Sequence, residues 1–259
     1  MKKILFASDL DNTLIHSKKH VQEGDLCIEH LNGQPQSYIS ALTVENLCRI
    51  VECAEFIPVT TRSVEQYLRI KWPDGCKPKY ALTTNGTILL EDEVPVQTWR
   101  DESAAVAERY ACQMEELKER ILENEIFLKS RVVDGMFLFA YADEGVKAGE
   151  HVEEYQGLTE LQSFSLGRKA YFFPPEFYKG AGVERLKAQM GFQKVIAAGD
   201  SDMDITLLDA ADIGFAPKGL EGMLQSGKCV RICPDERRFS EFVTEMTLGE
   251  IEPKACVRF

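Results

Sequence analysis

The chain has 259 residues, 44% of them hydrophobic and 28% charged, with a formal net charge of −12. That length buries a full core, as one large domain or two modest ones. The acidic balance has the wrong sign for a surface that binds the phosphate backbone of nucleic acid, so any phosphate site here needs its own local cations or a metal.

The eight cysteines show no CxxC pair, and the closest are Cys48 with Cys53 and Cys229 with Cys233. Most lie in apolar runs, which reads as free thiols in a reducing, cytoplasmic compartment rather than a disulfide frame or zinc site. The apolar run after Lys2 and Lys3 is too short for a signal peptide, and no stretch is long enough to span a membrane. The terminal Cys256-Val257-Arg258-Phe259 is loosely similar to a prenylation box, with Arg258 where an aliphatic residue belongs.

The first element is the apolar run Ile4-Leu5-Phe6-Ala7, a strand that ends at Ser8-Asp9-Leu10-Asp11-Asn12-Thr13. Two carboxylates at a strand's carboxyl end suit hard-cation binding and paired covalent and acid–base work. The same residues also read as an Asp-rich turn. Residues 25–39 form a hairpin around Asn32-Gly33, with His16, His20 and His30 as exposed loop residues nearby. This segment also reads as a flap beside the first strand.

Thr43 is placed as the cap of a helix with Val44, Leu47, Cys48, Val51 and Ala54 on one face. Residues 56–59 are a second buried strand ending at Thr60-Thr61-Arg62, and Ser63 caps a helix running to Ile70. Residues 80–83 are a third short strand closed by Asn85-Gly86. Strands alternating with helices predict an α/β fold with a doubly wound, Rossmann-like parallel sheet. Ligands bind at the carboxyl edge of such sheets, where Asp9, Thr60 and Asn85 fall.

From about Ile88 the pattern changes. Residues 101–122 read as one long helix, followed by a hairpin around Asp134-Gly135, a helix within 145–155, and a second hairpin around Gly167-Arg168. This is an antiparallel α+β unit, assigned to residues 88–173 as a cap between core segments 1–87 and 174–259. Pro174-Pro175 leads out of it. The first pattern then resumes with a helix over 179–190 stopped by Gly191, a strand over 194–198, and the acidic loop Gly199-Asp200-Ser201-Asp202-Met203-Asp204. Short apolar runs at 213–216 and 230–232 and a final helix near 239–246 complete the chain.

The first acidic motif, Thr60, Lys179 and the second acidic loop together resemble the haloacid dehalogenase superfamily. The resemblance is to the phosphohydrolases capped between their second and third motifs, the Cof-type and sucrose-phosphatase-like enzymes. It implies Asp9 as nucleophile and Asp11 as general acid and base. It implies Mg²⁺ held by the Asp9 and Asp200 carboxylates and the Asp11 backbone carbonyl. Lys179, Thr60 and the Leu10 N–H would hold the phosphoryl oxygens, with Thr61, Arg62 and Asn85 as further substrate-binding residues, Asp204 orienting Lys179 or a metal-bound water, and Ser201 as a supporting residue. The expected partner is a small phosphorylated metabolite of the sugar phosphate kind, and neither nucleic acid nor membrane.

Each single residue also has a plainer reading. Thr60 ends a strand, Lys179 starts a helix where the macrodipole disfavours a cation, and Arg62 pairs on the surface; Arg168 and Lys169 read as exposed turn residues in preference to residues facing the cleft from the cap. Three positions depart from the family pattern: Thr61 stands for a Gly, Met203 for an Asn, and Ala216-Pro217-Lys218-Gly219 lacks an Asn. A phosphomutase using the same intermediate, and a non-catalytic regulatory protein on the same fold, are the alternatives. The sequence leaves the oligomeric state open.

Overall fold

A computed structural model describes residues 3–227 and 229–251, so the prenylation-like tail lies outside the described residues. Strand β1 (Ile4–Ser8) leads into a small sheet of β2 (His16–Ser17), β3 (Leu26–Leu31) and β4 (Gln34–Ile39). Helix α1 (Ala41–Cys53) returns to β5 (Glu55–Pro58), and α2 (Val64–Leu68) precedes a second small sheet of β6 (Tyr80–Thr83), β7 (Ile88–Glu91) and β8 (Val94–Pro95). Helices α3 (Gln97–Glu108) and α4 (Ala111–Glu123) lead to β9 (Phe127–Val133), β10 (Phe137–Ala142), α5 (Gly149–Gln156), β11 (Gln162–Leu166) and β12 (Lys169–Phe173). The chain closes with α6 (Lys179–Met190), β13 (Lys194–Ala198), α7 (Ile205–Asp209), β14 (Ile213–Pro217), β15 (Val230–Cys233) and α8 (Phe239–Ile251).

The central sheet is parallel, in the order β15-β14-β13-β1-β5. β1 lies inside it and is apolar on both faces, as a doubly covered strand must be. Phe6 packs with Phe56 and Phe215 on one side, while Leu5 and Ala7 pack with Trp99, Val183 and Leu186 on the other. Each of the leucine, valine and phenylalanine side chains so withdrawn from water contributes roughly 1.5–3 kcal/mol. From β1 the chain goes first to β5 on one side and later to β13 on the other. The strand order therefore reverses at β1, and the crevice of the sheet opens at its carboxyl end.

β9, β10, β11 and β12 form a separate antiparallel sheet, ordered β11-β12-β10-β9. Its outer face, with Leu138, Ala140, Ala170 and Phe172, packs under Leu117 and Ile121 of α4 and Val152 and Tyr155 of α5. Its inner face, with Val133, Phe137, Tyr171 and Phe173, joins the same apolar cluster as Phe6 and Leu10. The sheet thus lies over the carboxyl edge of β1.

Several elements differ from the sequence reading. The long helix is two: α3 buries Trp99, Ser103 and Ala107, α4 buries Met114, Leu117 and Ile121, and Tyr110 at φ −108°, ψ 2° breaks the helix between them. α3 packs with the parallel-sheet core and α4 with the antiparallel sheet, so each faces a different cluster. β6 is joined to the parallel sheet by a parallel Val59–Leu82 bridge and starts the antiparallel β6-β7-β8 sheet. Leu89 and Trp99, early in the segment assigned to the cap, pack in the core cluster. Ser40, not Thr43, caps α1, with its hydroxyl accepting the Thr43 N–H at 3.0 Å.

His16 is not an exposed loop residue. It is buried, and its Nε2 lies 2.9 Å from the Asp25 carboxylate, which Arg238 of the α7–α8 region clasps from Nη1 and Nη2 at 2.7 and 2.8 Å. This clasp ties the β3–β4 flap to the start of α8. Burial alone would raise the Asp25 carboxyl, but Arg238 and the Gln22 N–H hold it down at about 2, against 3.8 for a free one. A carboxyl depressed on folding stabilises the native state fully above its unfolded value, and loses that contribution as pH falls through the folded one. Asp25→Asn should therefore cost about 2 kcal/mol at neutral pH. In urea titrations the gap from the parent chain should narrow between about pH 4 and pH 2; a gap independent of pH would contradict the clasp.

Candidate active site

The parallel ladder runs one residue past β1, with the Asp9 N–H donating to the Ala198 carbonyl at 2.9 Å. This sets Asp9 beside the 199–204 loop that follows β13. Lys179, the first residue of α6, is buried, and its Nζ lies 2.5 Å from both Asp9 Oδ1 and Asp204 Oδ1. α6 reaches this place because Gly180 lets it press against α7: a Cβ at Gly180 would sit 2.3 Å from the Thr206 carbonyl oxygen. Gly199 is required in the same way, since its Cβ would fall 2.2 Å from that of Asp204.

Asp204 is fully buried and organises its loop. Its Oδ2 accepts from the Asp200 N–H at 3.1 Å, the Ser201 N–H at 3.0 Å and the Ser201 hydroxyl at 2.8 Å. The Asp200 carboxylate accepts from the Thr13 hydroxyl at 3.2 Å. Carboxylate oxygens of Asp9, Asp200 and Asp204 lie within 4.8 Å of one another.

Three carboxylates thus face one ammonium, and two negative charges are uncompensated. Burial pushes the Asp9 carboxyl well up against the opposing pull of Lys179, and Asp204 and Asp200 add to the push. Burial, then Asp204, raise Asp200 to about 6. Burial works against the charge on Lys179, but Asp204 and Asp9 overcome it and hold the ammonium protonated far above its ordinary range. A buried, all-oxygen donor set with excess negative charge fits a hard divalent cation such as Mg²⁺.

Asp11 points away from this cluster. Arg62 grips it in a two-pronged fork, Nε to Oδ2 at 2.8 Å and Nη2 to Oδ1 at 2.7 Å. Arg62 also reaches Glu29 at 2.9 Å and the Ser37 hydroxyl at 3.1 Å, and the buried Glu29 accepts in addition from Ser37 at 2.5 Å and Arg69 at 3.0 Å. Desolvation would raise the Asp11 carboxyl, and the Arg62 guanidinium overrides it and holds it below the usual range. Glu29 and Ser37, on β3 and β4, were not legible as site residues. Their strands alternate irregularly, and Glu29 has no motif around it.

The remaining sequence-predicted residues divide. Thr60 is buried at the end of β5, and its Oγ1 accepts the Arg62 N–H at 3.2 Å. Among the described residues no acceptor pairs with the Leu10 N–H. Thr61 and Arg62 line a cavity of about 280 Å³ that opens beside Asp11, under the inner face of the antiparallel sheet. Lys169 lines it too, where the sequence suggested an exposed turn residue, while Arg168 donates to the Ala142 carbonyl at 3.0 Å and stacks on Tyr141. Asn85 is not brought to this cavity. It adopts φ 61° and ψ 35°, donates to the Phe177 carbonyl at 3.0 Å, and faces a separate cavity against α3 and α6. Met203, the departure in the acidic loop, turns into the apolar core.

No family model matches the chain. Phosphoglycolate phosphatase 2 of Saccharolobus solfataricus is 27% identical over 217 residues, covering 83% of this chain and 79% of that protein. The sucrose-phosphatase of Synechocystis sp., solved with sucrose and phosphate, superposes with a TM-score of 0.63 at 18% identity over 97% of this chain and 98% of its own. A haloacid dehalogenase-like hydrolase from B. subtilis gives 0.59 at 17% identity over 95% and 99%. A phosphatase of the same superfamily from Bacteroides thetaiotaomicron gives 0.56 at 15% identity over 97% and 96%. The architecture is therefore that of the haloacid dehalogenase superfamily. At these identities the likeness is one of fold, which the phosphatases among these proteins share with this chain. No helix among the described residues is long and apolar enough to cross a membrane.

Proposed function

We propose that the chain is a Mg²⁺-dependent phosphomonoester hydrolase that transfers the phosphoryl group of a small metabolite to Asp9 and then to water. The observation that carries this reading is the buried Lys179 bridging Asp9 and Asp204, with Asp200 beside them. A structural ion pair needs one carboxylate, and leaving a third acid buried in the same cluster is costly without a function.

On this reading Asp9 attacks phosphorus through the oxygen not held by Lys179. Lys179, the Thr60 hydroxyl and the free Leu10 N–H neutralise and orient the phosphoryl oxygens. When bound by the Asp9 and Asp200 carboxylates and the Asp11 carbonyl, Mg²⁺ supplies the remaining positive charge. Asp204 holds Lys179 and the loop in place. Asp11 leaves the Arg62 fork and, freed of that cation, takes up a proton from solvent, which it gives to the departing alcohol; as a carboxylate again it later takes a proton from the attacking water, and Glu29 and Ser37 keep Arg62 paired meanwhile. The antiparallel sheet with α4 and α5 acts as the cap over this edge, and its inner face meets the leaving group.

A phosphate-release screen over phosphorylated metabolites tests the reading, with sugar phosphates and the substrate named for the Saccharolobus relative included. Release that requires Mg²⁺ is expected. Formation of a phosphate isomer without release would replace the hydrolase by a mutase.

A further inference from the structure

The cavity beside Asp11 holds more positive charge than the acids around it use. Arg62, Arg69, Arg131 and Lys169 line it against Asp11 and Glu29. Arg62 and Arg69 are committed to those two carboxylates. Arg131 and Lys169 make no ion pair or side-chain hydrogen bond with any described residue. Lys169 is near enough to Asp11 to help lower its carboxyl, but that carboxylate is already gripped by Arg62, so in a chain of net charge −12 the cavity keeps positive charge that calls for an outside anion.

Their place in the sheet is fixed by register. Arg131 pairs with Phe139, Phe139 with Tyr171, and Tyr141 with Lys169. Strand side chains alternate between faces, so Arg131, Phe139, Tyr171 and Lys169 share the inner face, whereas Leu138, Ala140 and Phe172 take the outer one. The two cations flank an aromatic floor of Phe139 and Tyr171, whose rings meet edge to face at 5.4 Å. Such a floor receives a short carbon skeleton, and the cations receive charge at its end.

We propose that Arg131 and Lys169 bind a second anionic group, a carboxylate or a further phosphate, on the alcohol part of the substrate. The inference rests on the phosphatase reading and gives it a substrate class: phosphomonoesters of anionic alcohols, in preference to those of neutral ones. A neutral alcohol would desolvate both cations without pairing either.

The test compares phosphate release from glycerol 3-phosphate with that from 3-phosphoglycerate, and from fructose 6-phosphate with that from fructose 1,6-bisphosphate. The parent chain should favour the anionic member of at least one pair by about tenfold or more in kcat/KM; the pair that responds distinguishes carboxylate from phosphate. Arg131→Met with Lys169→Met should bring that ratio close to one, chiefly through KM. Arg120→Met, which removes a cation from the outer helix of the cap, should leave the ratio as it was. Both target side chains are exposed, and unchanged melting temperatures would verify that the variants are folded. No preference in the parent chain, or a preference the double variant keeps, overturns the proposal. If phenyl phosphate is hydrolysed in an Asp9-dependent way while the ratios are flat, the phosphatase reading survives alone. If no substrate is hydrolysed, both fall together.

Discussion

Asp9→Asn is expected to abolish turnover, by about a thousandfold or more, in a protein that remains folded. The amide keeps the size and shape of the carboxylate but cannot attack phosphorus. The site should tolerate it well. Burial and the neighbouring Asp204 and Asp200 already press the Asp9 carboxyl toward its neutral form, and Lys179 keeps Asp204 as partner. The variant should thus melt at or above the parent temperature while releasing no phosphate from an aryl phosphate in the presence of Mg²⁺. Retained turnover would remove Asp9 as the nucleophile.

Lys179→Met should cost both activity and stability. The methionine fills most of the same space, but Asp9 and Asp204 are left buried without the ammonium that lies 2.5 Å from each. Removing one partner of a buried ionic cluster typically costs about 3–5 kcal/mol, which in a chain of this length lowers the melting temperature by roughly 10 °C. Adding Asp9→Asn to Lys179→Met should restore part of the loss, because one of the stranded charges disappears. Thermal melts of the two single variants and the double one would show this coupling. Strict additivity would mean that the three side chains do not act as one electrostatic unit.

What the sequence made legible were the features with short-range causes. β1 is a run of apolar residues closed by acids. The hairpin turns at Asn32-Gly33 and Asp134-Gly135 take the positive φ values, 52° with 74° and 50° with 79°, that such pairs favour. Gly191 ends α6 at φ 70°. The convergence of Asp9, Lys179 and the second acidic loop followed from the strand–helix alternation together with the family resemblance. Interactions between distant segments were hidden. Nothing local in residues 101–122 marks a break, because the break answers to two different cores. The Arg62 fork on Asp11 and its Glu29 and Ser37 supports join the β1 turn, the flap and the β5 end, none of which names the others in sequence. For Lys169 the hairpin was visible and two placements stayed open, a turn residue or one facing the cleft; pairing of four strands decides for the second.

The central claim is that Asp9 carries the phosphoryl group. It is tested most directly by mixing an Asp11→Asn variant, slowed in the hydrolytic half of the reaction, with a radiolabelled aryl phosphate and Mg²⁺, quenching in acid and mapping the label. Label on the Asp9 peptide, discharged by hydroxylamine, is the predicted result. Label on another residue, or phosphate release by the parent chain with no label ever trapped on Asp9, would contradict it.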